Sequence, residues 1–134
     1  MPRAPTIHIA CLCAAWCRLC DDYRAVLESL ADEFDRGGVP VQWHWVDIED
    51  EADLVGELDV ETFPTIVVAD DAHVRFAGPV TPQRDTLQRL LRATVMNAES
   101  GVQWPAAAPE VQALAAGLRM RRPDRLIARS SKSE

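Results

Sequence analysis

The spacing of hydrophobic residues changes several times along the chain, and each change predicts a new element. Thr6 to Cys13 is almost continuously apolar, which predicts a buried strand. From Cys17 onward, apolar residues recur at steps of three or four, which predicts an amphipathic helix that ends at Gly37–Gly38. Val39 to Ile48 alternates with a period of two, as a second strand does.

The middle of the chain predicts shorter elements. A short acidic helix is predicted over Glu49 to Leu58, and two strands over Ile66 to Ala69 and His73 to Phe76. Gly78–Pro79 is interpreted as a break, and Thr81 as the N-cap of a last helix. The resulting order is strand, helix, strand, helix, strand, strand, helix. It predicts an α/β fold with a parallel strand pair joined by a right-handed crossover, followed by an antiparallel hairpin and a covering helix.

The end of the chain has a different composition. Residues 98–108 are rich in Ala, Pro, Gly and Ser and are interpreted as a linker. Pro109 to Arg122 predicts one more helix, bounded by Pro109 and Pro123, and residues 124–134 are expected to be disordered. We therefore predict a domain over residues 1–97 and an extension over residues 98–134 that contains a helix near 109–122.

Charge and hydropathy narrow the range of partners. Residues 1–97 carry a net charge of −9 and residues 98–134 a net charge of +2. An acidic domain repels phosphate backbones, so we expect no nucleic-acid partner. No apolar run reaches the roughly 18 residues of a membrane span, and the first residues do not form a signal-peptide pattern. We expect a cytoplasmic protein that does not bind membranes.

All four cysteines lie within ten residues of one another, at Cys11, Cys13, Cys17 and Cys20. A disulfide scaffold spreads its cysteines along the chain so that they join distant loops. This clustering indicates a local redox or metal site instead.

Cys17 and Cys20 stand where the first strand gives way to the first helix. A helix N-terminus offers unpaired backbone N–H groups and a partial positive charge, which favour a thiolate. Arg18 adds a positive charge, whereas Asp21 and Asp22 oppose it. We expect Cys17 to be the attacking nucleophile and Cys20, one turn further on, to be the resolving cysteine.

The segment Ala14–Ala15–Trp16–Cys17–Arg18–Leu19–Cys20 is similar to the A-x-W-C-x-x-C motif of the thioredoxin family. Phe63–Pro64–Thr65 resembles the family's proline turn, and Gly78 falls where the family has a glycine beside its substrate groove. The resemblance extends from about Ile7 to Val95. It implies a thioredoxin-like fold, with a mixed four-stranded sheet flanked by helices and, here, a C-terminal extension.

The resemblance also implies roles for individual residues. Trp16 would form one wall of the groove, and Pro64, in the cis form, would face the cysteines and keep metal from them. The backbone of Phe63 would pair with an extended substrate strand. The function implied is thiol–disulfide exchange with protein substrates. A protein reductant would supply the electrons, and the Cys17–Cys20 disulfide would serve in place of any cofactor.

Three departures from the family pattern change these expectations. Cys11 occupies the position of the family's buried Asp, and Trp45 that of its Lys partner. Arg18–Leu19 replaces Gly-Pro between the two cysteines. Only ten residues precede Cys11, so the family's first strand and helix are expected to be absent. One sheet edge and one face would then be less covered, and we expect the helix near 109–122 to dock there.

Several alternatives stay open at this point. Cys11 and Cys13 are two residues apart on a strand, so their side chains point to the same side. They could be two small buried residues, a second redox pair or half of a four-cysteine metal site. Direct bridging of two such positions is geometrically poor, so a second disulfide would more readily involve the Cys17 pair. His8, His44 and His73 are expected to be satisfied or exposed rather than metal ligands. The competing functions are a non-catalytic thioredoxin-like binding module with regulatory cysteines and a metal carrier.

Overall fold

A computed structural model describes residues 6–14, 18–37, 41–56, 58, 65–80, 83–95 and 107–124, with residues 18–21 described by their backbone alone. The elements in these ranges are, in chain order, β1 (Ile7–Cys13), α1 (Arg18–Arg36), β2 (Val41–Asp47), α2 (Ala52–Val55), β3 (Thr65–Ala69), β4 (Val74–Pro79), α3 (Arg84–Val95) and α4 (Pro109–Met120). None of the described helices is long and apolar enough to span a membrane.

The described strands form one mixed sheet in the order β2-β1-β3-β4. Strands β1 and β2 are parallel, whereas β1–β3 and β3–β4 are antiparallel. This sheet confirms the predicted α/β class and its four mixed strands. All seven residues of β1 are buried, because the strand is central and both of its faces are covered. That burial explains its nearly continuous apolar sequence.

Helices α1 and α3 cover one face of the sheet. Their apolar stripes supply Leu27, Leu30, Leu87 and Leu91, which pack on the side of β1 that presents Ile9 and Cys11. Each of these leucines is at most 1% exposed. This is the larger of the two apolar clusters and forms the main core.

Helices α2 and α4 cover the opposite face. Leu114 and Leu118 of α4 are fully buried against Ala10 and Leu12 of β1. Gly117 lies so close to the Leu54 side chain that a Cβ there would overlap it. The helix predicted near 109–122 is thus present as α4, and it packs on this second face.

The outer edge of β2 is contacted by the chain that follows α4. The backbone N–H of Asp124 donates to the Trp43 carbonyl oxygen at 2.8 Å. The Trp45 N–H in turn donates to Asp124 Oδ2 at 2.6 Å. An exposed sheet edge is a template for unwanted pairing, so these two bonds protect an edge of the kind that was expected to be less covered.

Two predicted boundaries are wrong. The helix predicted over Glu49 to Leu58 is only α2, because Asp47 Oδ1 accepts the N–H groups of Glu49 and Asp50 and holds that segment in a turn. The break predicted at Gly78–Pro79 is absent, because both residues belong to β4. Since β4 is the last strand of the described sheet, Pro79 loses no outer ladder bond by lacking an N–H.

Candidate functional site

The end of β1 is followed closely by the start of α1. Strand β1 ends at Cys13 and the helix begins at Arg18, so Cys17 immediately precedes the first helical residue and Cys20 is the third. Cys17 and Trp16 lie outside the described residues, and Arg18 and Cys20 are described by their backbone alone. The backbone places the helix N-terminus at the carboxyl end of the central strand, where its first N–H groups have no intrahelical partner.

The start of β3 lies at this same end of the sheet. Thr65, its first residue, is paired with Leu12 of β1 across the antiparallel ladder. Phe63 and Pro64, which lie outside the described residues, come directly before Thr65 in the chain. Cys13, which precedes the cysteine motif in the sequence, and Thr65, which follows Phe63–Pro64, therefore lie at the same end of the sheet.

Gly78 is also at this end, since it pairs with Ile66 while Pro79 pairs with Thr65. A Cβ at Gly78 would lie 3.5 Å from a ring carbon of Phe76, which is an ordinary van der Waals distance. The described neighbours therefore leave room for a side chain, and they do not by themselves require glycine at this position.

Cys11 and Cys13 lie beneath this end, on the face covered by α1. They are 1% and 2% exposed, and their Sγ atoms are 3.3 Å apart. Both are thiols rather than half-cystines. Their burial and their common direction confirm the prediction made from strand alternation. The closeness of the two sulfurs was not predicted, because it depends on side-chain rotamers.

Tyr23 is a polar residue of this core that the pattern of the sequence did not single out. It is fully buried in the same cluster as the two thiols, and its hydroxyl has no hydrogen-bond partner among the described residues. Burial, followed by the charges of Cys11 and Cys13, raises the pKa of Tyr23 above its ordinary value. The phenol therefore stays protonated. A phenol hydroxyl within an otherwise apolar helical stripe was the available signal.

No buried carboxyl group lies at this end of the sheet among the described residues. Cys11, at the position where the family carries Asp, is paired in register with Trp45 on one side and Ile66 on the other. The buried carboxyl in the described part of the chain is Asp70, which follows the far end of β3 and bonds Arg75 at 2.9 Å. The departure seen in the sequence is therefore not compensated by a described acid from another element.

The histidines lie apart from the cysteine end. His8 Nδ1 and His44 Nε2 are 3.2 Å apart and buried, and His44 Nδ1 is 3.1 Å from Arg121 Nη1. His73 is exposed beside Asp70. No three potential metal ligands cluster among the described side chains. The prediction of satisfied or exposed histidines is confirmed, although the pairing of His8 with His44 was not foreseen.

Comparison with known proteins agrees with this architecture. The Thioredoxin family model matches residues 4–93. No curated protein matches the chain. Among solved structures, the germline-specific thioredoxin Deadhead of Drosophila melanogaster is 16% identical, with a TM-score of 0.59 over 68% of this chain and 83% of that one.

Two further thioredoxins give similar values. Mitochondrial thioredoxin 3 of Saccharomyces cerevisiae is 18% identical, with a TM-score of 0.55 over 65% of this chain and 77% of that one. The thioredoxin of Fasciola hepatica is 20% identical, with a TM-score of 0.55 over 71% and 83%. At these identities the likeness concerns the fold. Because the family match covers about two thirds of the sequence, the chain belongs to the thioredoxin family.

Proposed function

We propose that this protein is a thiol–disulfide oxidoreductase that acts on protein substrates, with Cys17 as nucleophile and Cys20 as resolving cysteine. The family supports an oxidoreductase-like role in general. The observation that supports the specific proposal is that β1 ends at Cys13 and α1 begins at Arg18, the residue that follows Cys17 in the sequence. The helix dipole and unpaired N–H groups favour a thiolate there.

The exchange takes two balanced steps. The Cys17 thiolate attacks a substrate disulfide, forms a mixed disulfide and releases one substrate thiolate, which takes up a proton. Cys20, as a thiolate, then attacks the Cys17 sulfur, releases the second substrate thiolate and leaves a Cys17–Cys20 disulfide. A protein reductant returns two electrons, and no other cofactor is needed. We propose a cytoplasmic location, where net flow is reduction.

The substrate would bind beside the cysteines as an extended segment. Trp16, Phe63, Pro64 and Gly78 are the proposed groove residues. The shared position of Gly78 and Thr65 at the β1 carboxyl end supports this grouping. In this arrangement the backbone of Phe63 pairs with the substrate strand, and main-chain hydrogen bonds give affinity with little sequence preference.

The proton from Cys20 needs an acceptor other than a buried carboxylate. Cys11 occupies the relevant position and faces Trp45 across the ladder. Cys11, in its thiolate form, or water is therefore the proposed acceptor, and Cys13 and Arg18 are further accessory candidates. We expect exchange slower than in a family member with the acid.

An insulin-reduction assay tests the proposal. With dithiothreitol as electron donor, the wild-type chain should accelerate insulin reduction, and Cys17→Ser should lower the rate to that of dithiothreitol alone. Incubated with insulin in the absence of dithiothreitol, Cys20→Ser should trap a mixed disulfide that is visible by mass spectrometry. His73→Ser is the matched control, because His73 is exposed at the opposite end of β4 from Gly78.

The second candidate is a non-catalytic thioredoxin-like binding module with regulatory cysteines. The replacement of the buried acid by Cys11 favours it. A wild-type chain that leaves the insulin rate unchanged, while Cys17 still reacts with a maleimide, would overturn catalysis and favour the module. Metal analysis of anaerobically purified protein tests the four-cysteine metal site in the same preparation.

A further inference from the structure

Two thiols lie side by side in the main core, outside the Cys17–Cys20 motif. Cys11 Sγ and Cys13 Sγ are 3.3 Å apart on neighbouring same-face positions of β1. This distance is near the contact limit for two sulfurs. A disulfide bond is about 2.05 Å long, so bond formation needs the sulfurs to approach by little more than ~1 Å.

The strand backbone permits that approach. Two residues of a strand span about 6.6 Å, which is at the upper end of the Cα separations found in disulfides. Residues at i and i+2 of a regular strand usually direct their sulfurs in parallel. Here the rotamers already bring the sulfurs together, which removes the main geometric objection to a direct bond.

The buried hydroxyl of Tyr23 is an independent observation at the same place. It lacks a hydrogen-bond partner among the described residues, and a buried polar group without one is costly. Tyr23 shares one apolar cluster with the two thiols. Besides burial, which is the larger cause, negative charge on Cys11 or Cys13 in their thiolate forms raises the pKa of its hydroxyl. A protonated hydroxyl that bonds no described group is a donor available to a thiolate formed in the same cluster.

We propose that Cys11 and Cys13 form a second dithiol–disulfide couple, buried beneath the cysteine motif, with the Tyr23 hydroxyl as the polar group that supports its thiolate. This couple is a disulfide distinct from Cys17–Cys20, and only its reduced form leaves Cys11 available as the acceptor named in the proposed function. Together with the proposed Cys17–Cys20 couple, on which this count rests, the domain could then transfer four electrons in place of two.

The oxidant for this couple is a disulfide. One of the two cysteines attacks it as a thiolate, forms a mixed disulfide and releases a first thiolate. The other cysteine then attacks the sulfur of its neighbour, closes the Cys11–Cys13 bond and releases the second thiolate. The protons of the two thiols pass to the leaving groups, so one disulfide forms as another is reduced.

The test uses the full chain with Cys17→Ser and Cys20→Ser, in which Cys11 and Cys13 are the only thiols left. The protein is equilibrated with mixtures of reduced and oxidised glutathione, quenched with acid, and alkylated in urea with a maleimide. Intact mass then counts the adducts. We expect a direct change from two adducts to none as the mixture becomes more oxidising, reversed by reduced glutathione.

Either of two results would overturn the couple. One is a folded chain that keeps both thiols in the most oxidising mixture, while the same chain in urea loses both. The other is a stable single glutathione adduct that does not close. Adding Cys11→Ala gives a matched control that cannot form the bond. Because Cys17 and Cys20 are absent here, the result does not depend on the insulin assay.

Tyr23→Phe in the same background tests the hydroxyl. The hydrogen bond that this hydroxyl would donate to the newly formed thiolate is worth about 1 kcal/mol, so its absence lowers the thiolate population roughly fivefold. We expect the oxidation rate to fall by about that factor and its pH profile to move to higher pH. A rate and a pH profile that match the parent would remove Tyr23 from the proposal, since a purely structural role would not move the profile.

Discussion

Among single residues, His44 has an environment that makes stability depend on pH in the mildly acidic range. It is 1% exposed, and its two ring nitrogens face His8 and Arg121. Burial, followed by the charge of Arg121, lowers the pKa of His44 to about 4, and burial also lowers that of His8. Asp124 opposes this shift without cancelling it. Both histidines are therefore neutral in the folded protein at neutral pH.

The sign of the pH effect follows from these shifts. An unfolded His44 titrates near 6.5, so below that pH the unfolded chain binds a proton that the folded chain excludes until about pH 4. Stability is full above pH 6.5 and declines as the pH falls to 4. At pH 5 the loss is about 2 kcal/mol. Urea unfolding between pH 7.5 and 4.5 measures it.

His44→Gln should remove most of that decline, whereas His73→Gln, at an exposed position, should keep the wild-type slope. The idea fails if the His44→Gln and wild-type curves remain parallel between pH 6.5 and 4.

Much of the residue-level detail could not be read from the sequence. Strand alternation was enough to predict that Cys11 and Cys13 are buried on one side. The contact of His8 with His44 could not be predicted, because it depends on the β1–β2 register, which puts Ala10 opposite His44. That the Tyr23 hydroxyl has no partner among the described residues could not be predicted for a similar reason, since its neighbours come from another element.

At the scale of elements, a charged cluster joins α1 to α3. Glu33 of α1 accepts from Arg84 at 3.0 Å, from Gln88 at 2.9 Å and from Arg92 at 2.7 Å, all on α3. Hydrogen bonds from Arg92, then Gln88 and Arg84, lower the pKa of Glu33 to about 2. One carboxylate of α1 thus binds side chains at three positions along α3.

Glu33→Gln should weaken this helix pair by about 1 kcal/mol or less, because the partners are partly exposed and water screens them. The carboxyl titrates near 4.5 when unfolded and about 2 when folded. Its stabilisation is therefore complete above pH 4.5 and is lost as the pH falls through 2. Urea midpoints should differ at pH 7 and converge below pH 4.5.

Asp35→Asn is the matched control on the same helix, at an exposed position. Equal midpoints for Glu33→Gln and the wild-type chain at pH 7 would show that the cluster adds no stability.

Elements with a strong period were the most predictable. The strands β1 and β2 and the helix α1 fall within a few residues of their predicted bounds. The acidic segment near Glu49 was mistaken for a longer helix, because Asp47 offers its side chain to the backbone and stabilises a turn. Composition alone does not distinguish these two uses of acidic residues.

At the scale of the whole molecule, the C-terminal part covers one face and one edge of the sheet. Helix α4 buries Leu114 and Leu118 on the second face. Arg121 then binds both carboxylate oxygens of Glu51, at 2.8 and 2.6 Å, and Asp124 pairs with β2. The expectation that a helix near 109–122 docks on the less covered face came from the family resemblance, because the family's first strand and helix were expected to be absent. The ion pair and the edge contact required the structure.

A chain that ends at Asn97 should therefore lose much of its stability. It exposes Leu12 and Val67 on one face and leaves the edge of β2 unpaired. Loss of two fully buried leucines alone costs at least about 4 kcal/mol, which is a large part of the stability of a small domain.

A chain that ends at Asp124 keeps every described contact and is the matched control. Urea unfolding should place its midpoint close to that of the full chain and well above that of the shorter one, which should also associate through its open edge on size-exclusion chromatography. Coincident midpoints for the chains ending at Asn97 and Asp124 would mean that the sheet is stable without α4.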